Sequence, residues 1–131
     1  MKRYYTAVIH KDEGNSYWVE FPNLQGCVTG GDSFERACFM AEDALGEWIS
    51  TKEEYGDIVT EPTEYEEIKK QYPNDIVQVF GYDDVQWKKE HATKPVHKTV
   101  SLPQWLFELA NEKGISLSKT LQKALKEELG L

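Results

Sequence analysis

The stretch HKTVSLPQWL, residues 97–106, changes structural character at a single residue. Polar side chains alternate with apolar and β-branched ones up to Pro103, and a helical apolar pattern begins immediately after it. Leu102, Leu106, Leu109 and Ala110 form one stripe, and Lys113-Gly114 supplies a basic last turn with a glycine stop. Ser116 is a good N-cap for a second helix, with Leu117, Leu121, Ala124, Leu125 and Leu129 at helical spacing. The strand expected at about Val96–Leu102 has no neighbouring strand to pair with. Residues 96–131 are also too few to bury a stable core alone. Both deficits vanish if two copies pair their strands antiparallel across a two-fold axis and pool their helices, so a homodimer is expected.

Upstream, YYTAVIHKDEGNSYWVEF reads as a hairpin. Aromatic and β-branched residues fill 4–10 and 17–21, and Asp12-Glu13-Gly14-Asn15 carries turn chemistry. Pro22-Asn23-Leu24-Gln25-Gly26 breaks the second strand, and Cys27-Val28-Thr29 can form a short third. A helix follows, with Asp32 and Glu35 in capping-box spacing and Ser33 as the rival N-cap. Its apolar face is Phe34, Ala37, Cys38, Ala41, Leu45, Trp48 and Ile49. Residues 51–75 read as a polar, proline-interrupted stretch with one short helix at Glu64–Gln71. Ile76–Tyr82 returns as a strand, and Asp83–Pro95 as a charged linker, helical at its start. The fold class is α+β: a β-β-β-α-β body over residues 1–85, a linker over 86–95, and a strand-helix-helix unit over 96–131.

One helix covers one face of a small sheet. With Tyr17, Val19 and Phe21 directed to the helix, Trp18 and Glu20 lie on the other face. Trp18 there is either an interface anchor or packed under the 51–75 segment.

The net charge of −8 is unevenly spread. Through Thr93 there are nine basic and nineteen acidic side chains; from Lys94 onward there are six lysines and four glutamates. The body should therefore attract basic proteins and repel nucleic acid, while the tail tolerates phosphate. No apolar run is long enough to cross a bilayer. MKRYYTAVIHKDEG lacks the apolar core and cleavage site of a secretion signal, so a cytoplasmic protein is expected. Cys27 and Cys38 have neither CxxC nor metal-ligand spacing and read as reduced thiols.

The residues from His97 to Leu129 resemble a ribbon-helix-helix DNA-binding module: strand, Leu-Pro, helix, Gly-x-Ser, helix. In that family the paired strands enter the major groove. Aligning Pro103 with the family's proline puts Val100 and Leu102 inward. His97, Thr99 and Ser101 then face outward toward base edges. The resemblance further implies phosphate contacts from the amides around Ser116 and Ser118, with Lys98 and Lys119 adding charge. The readers Thr99 and Ser101 are shorter than many in the family and discriminate bases less sharply.

The body is similar to the HicB antitoxin family, whose run is a hairpin, a turn like FPNLQGCVTGGD (residues 21–32), and an alanine-spaced helix. The resemblance implies a partial ribonuclease-H-like fold and a type II antitoxin. The implied partners are a basic, RNA-cleaving HicA-like toxin, operator double-stranded DNA, and a second copy of this chain, as a dimer or a tetramer. Candidate toxin contacts are Trp18 and Glu20 on the open sheet face, and Glu42, Asp43 and Glu47 beside the helix.

Enzymatic readings find no support in these residues. Carboxylates such as Asp12, Glu20, Asp32 and Glu42 have no cage-like spacing. His10, His91 and His97 lack any triad or HExxH context. No catalytic residue, metal or cofactor is expected. The competing function is a stand-alone ribbon-helix-helix repressor whose body is a sensor or oligomerisation domain.

Overall fold

A computed structural model describes residues 2–131, which form two compact units, one running to Lys94 and one from Pro95 to Leu131. The first contains strands β1 (Lys2–Lys11), β2 (Tyr17–Glu20), β3 (Val28–Gly31) and β4 (Ile76–Asp83). Its helices are α1 (Phe34–Glu54), α2 (Tyr65–Gln71) and α3 (Asp84–His91). The second contains α4 (Gln104–Glu112) and α5 (Leu117–Leu129).

The sheet is antiparallel with order β3-β2-β1-β4, so the last strand returns beside the first. Ile9 pairs with Val19 and Tyr5 with Phe80, and alternation sends these side chains to the face that α1 covers. Between the second and third strands, the chain 21–27 folds on itself through Leu24 N–H to Phe21 O and Cys27 N–H to Leu24 O. Leu24 is thereby tucked into the core.

Helix α1 starts at Ser33, whose Oγ accepts the Arg36 N–H at 3.1 Å. Ser33, rather than Asp32, is the cap. Ala37, Ala41, Leu45 and Ile49 are fully buried against the sheet. Burying Leu45 and Ile49 contributes about 2 kcal/mol each. The alanines bring the helix close to β3: a Cβ on Gly31 would sit 2.6 Å from the Ala37 nitrogen, which reserves that position for glycine. The helix is longer than its apolar stripe. Its last turn is polar and is tied to the sheet by an ion pair of Arg3 with Glu53 at 2.8 Å.

The opposite sheet face is partly covered. Val8 is fully buried there, and α2 contributes the buried Ile68. On the α1 face, Tyr5 O–H donates to the Thr60 carbonyl at 2.9 Å, fastening the segment between α1 and α2. Helix α3 occupies the start of the stretch read as a linker. Its N-cap Asp83 accepts the Gln86 N–H, and its Trp87 packs against the core of the body.

The second unit has well-formed ends. Ile115 N–H bonds to Ala110 O and Gly114 N–H to Asn111 O, the paired bonds of a Schellman stop. Ser116 Oγ caps α5 through the Lys119 N–H at 3.3 Å. Residues 95–103 form no strand within the single chain, and among the described residues no strand pairs with them. No residue of either helix is buried.

Candidate functional site

On the sheet face away from α1, β-pairing sets His10 directly opposite Trp18. Their rings stack at 4.0 Å between centroids and 18° between planes. The imidazole lies between two carboxylates, with Nδ1 3.2 Å from Asp75 Oδ1 and Nε2 3.3 Å from Glu20 Oε2. The Nε2 contact is too poorly aligned to be a hydrogen bond, which leaves that buried nitrogen unsatisfied. Tyr72 O–H donates to Glu20 Oε1 at 3.1 Å, and this bond to a carboxylate pushes the phenol above its ordinary pKa. Trp18 nevertheless remains 40% exposed. Its ring rests on His10, which in turn meets the Tyr72 ring edge-on just past α2.

Glu42 and Asp43 are exposed on α1 and line a groove of about 470 Å³ between that helix, β4 and α3. Phe39, Tyr82 and Trp87 also line it, as do Asp83 and Glu90. Glu47 faces elsewhere, into a shallow depression of about 260 Å³ beside Cys27, Val28 and Trp48. The five candidate contacts therefore fall in three places. Two groove features escaped the sequence reading. Phe39 lies off the apolar stripe and is 59% exposed, which the stripe's own geometry could have flagged. Trp87 sits over Gly46, where an added Cβ would fall 2.0 Å from the indole ring. Gly46 and Trp87 are 41 positions apart, and no local pattern connects them.

In the second unit, His97, Lys98, Thr99 and Ser101 are all exposed in the segment before α4. Ser116, Ser118 and Lys119 gather at the start of α5, where the first amides lack intrahelical acceptors. The Ser116 hydroxyl is engaged in capping. Leu106, Leu109, Leu121 and Leu125 are each at least 41% exposed and lie on the helical stripes.

Among the described residues no group of three or more His, Cys, Asp or Glu could hold a metal, and no helix is long and apolar enough to cross a membrane. Cys27 is buried with its pKa pushed up to about 11 by desolvation, so it is a poor nucleophile.

Residues 5–124 match the sequence model of a family described as a HicB-like antitoxin of bacterial toxin–antitoxin systems. Among solved structures, the chain is similar to one in a toxin–antitoxin complex from Streptococcus pneumoniae. The TM-score is 0.57 at 20% identity, covering 98% of this chain and 99% of that one. It is also similar to the Burkholderia pseudomallei antitoxin HicB, with TM-score 0.57 at 22% identity, covering 98% and 97%. The N-terminal domain of that antitoxin matches 61% of this chain and 98% of its own, with TM-score 0.55 at 24% identity. At these identities the structural likeness is one of fold. No curated protein sequence matches the chain significantly. The family match spans nearly the whole sequence, and the chain belongs to the HicB-like antitoxin family of bacterial toxin–antitoxin systems.

Proposed function

We propose that this chain neutralises a HicA-like RNA-cleaving toxin with its acidic body, residues 1–85, and represses its own operon with residues 96–131. In this reading two copies pair the segments around His97, Thr99 and Ser101 into a ribbon that enters the major groove of operator DNA. Ser116, Ser118, Lys98 and Lys119 engage phosphate. The chain acts in the cytoplasm, where both partners are present, and inhibition is by occlusion, with no chemistry asked of the antitoxin.

The observation that carries this reading is the contrast between the units. An acidic unit closes its own core, and a unit with a small excess of lysine leaves every leucine of its helical stripes open. The first suits a basic protein partner and the second a copy of itself. The Streptococcus pneumoniae neighbour comes from a toxin–antitoxin complex, which supports a toxin partner here.

The test is growth of cells expressing the small basic protein encoded beside this chain, with and without the chain. Arrest relieved by the chain, together with co-purification of the two proteins, is the expected result. Absence of arrest with the neighbour demonstrably produced would overturn the antitoxin role and leave a stand-alone repressor.

A further inference from the structure

The geometry points to the groove between α1, β4 and α3 as the place where the body takes a basic, arginine-bearing segment of its protein partner. This deepens the antitoxin reading and rests on it. The groove has an apolar part made by Phe39, Tyr82 and Trp87, and an acidic part made by Glu42, Asp43 and Glu90. Phe39 is a large aromatic placed on the solvent side of α1, where it contributes nothing to the core. The Arg36 guanidinium lies over its ring at 5.0 Å from the centroid, and the side chain is still 59% exposed. Glu42 and Asp43 make no hydrogen bond or ion pair among the described residues, unlike Asp83 and Glu90, which accept from Gln86.

The charge selects the occupant. Among the described residues Lys2 is the only lysine or arginine lining the groove, and its ammonium lies over the Tyr4 ring at 5.4 Å. Among the described residues, four lining carboxylates outnumber the Lys2 ammonium and the Arg36 guanidinium on Phe39, a balance that repels a nucleic acid and attracts cationic side chains. An arginine combines a flat cation for the aromatic faces with a fork for a carboxylate, which the mixed lining requires. The Trp18 face offers less: its carboxylates, Glu20 and Asp75, already engage His10 and Tyr72.

One wall of the groove, α3, is joined to the core through a single large side chain, Trp87. Helix α3 contains no buried residue and is held to α1 by Trp87 over Gly46. A segment bridging Glu42 and Glu90 would fasten α3 to α1, at the point where the chain leaves the body for the C-terminal unit.

The experiment is calorimetric titration of the full-length chain with the basic protein encoded beside it. Wild type is compared with the double variant Glu42→Lys, Asp43→Lys and with Trp18→Ala, Glu20→Lys. Circular dichroism and operator binding confirm that each variant is folded. Amide exchange of residues 84–91 is followed with and without partner. The expected result is a loss of roughly 100-fold in affinity for the groove variant and under about 3-fold for the sheet-face variant. Slower exchange across α3 should accompany wild-type binding. Wild-type-like affinity of the groove variant, with wild type binding tightly, overturns the groove and leaves the antitoxin reading standing. Failure of wild type to bind the basic protein overturns both. A groove that takes up spermine alone, with no effect of the variant on protein binding, also overturns it.

Discussion

The two units solve the same sequence problem in opposite ways. Helix α1 and the pair α4–α5 both carry apolar stripes at helical spacing, and both start on a well-defined N-terminal signal. The stripe of α1 meets a four-stranded sheet within the chain, and Ala37, Ala41, Leu45 and Ile49 become fully buried. The stripes of α4 and α5 meet nothing adequate, and Leu109 and Leu125 remain about half exposed at 50% and 51%. A stripe states that a surface must be covered and leaves open what covers it. In the body the cover is folded from the same chain; in the C-terminal unit we assign it to a second copy.

That contrast makes matched substitutions informative. Leu45→Ala should lower the stability of the body by about 3 kcal/mol, because it removes buried methyl groups and leaves a cavity. Thermal unfolding should show the same loss at every protein concentration. Leu121→Ala should leave the body's transition unmoved and weaken self-association by roughly 30-fold, since both copies lose a contact. Sedimentation over a range of concentrations reads this directly. A concentration-independent loss from Leu121→Ala would mean that the C-terminal unit closes its core alone.

A substitution of intermediate effect probes the edge of the body. Gly46→Ala places a methyl group into the Trp87 ring and should reduce stability by about 2 kcal/mol through overpacking, with altered Trp87 fluorescence. The helix caps give a smaller matched pair. Ser33→Ala and Ser116→Ala each remove a side-chain acceptor from a first-turn amide, at about 1 kcal/mol. The first loss should appear in the body's unfolding curve and the second in the dimerisation constant. Thr99→Ala combined with Ser101→Ala should leave both quantities intact. It should reduce the preference for operator over random DNA about 10-fold in competition binding. Unchanged preference would remove these residues from base readout.

The local signals were legible. Aromatic and β-branched content marked β1 and β4, the FPNLQGC turn marked the break between β2 and β3, and α2 and the start of α3 fell where charge and proline allowed helices. Long-range arrangements were not. The last turn of α1, Thr51–Glu54, has no apolar residue to announce it and is tied down by Arg3, about fifty positions away. The seat of Trp87 on Gly46 depends on close approach of two helices, which no window of sequence contains. Exposure was half legible at the candidate site. Strand alternation put Trp18 on the face away from α1, but its stacking on His10, itself held by Asp75, exists only once β1, β2 and the segment after α2 converge.

The bare leucines of the C-terminal unit carry a further consequence for dose. A DNA reader assembled from two identical halves appears in proportion to the square of the chain's abundance while it is scarce, and then linearly once pairing saturates. A chain that shuts off its own synthesis through such a reader tolerates small numbers of itself without response and reacts sharply above a threshold. If two copies pair as we propose, the apolar area of α4 and α5 sets that threshold. Trimming one leucine would move it to a higher copy number without altering a single contact to DNA.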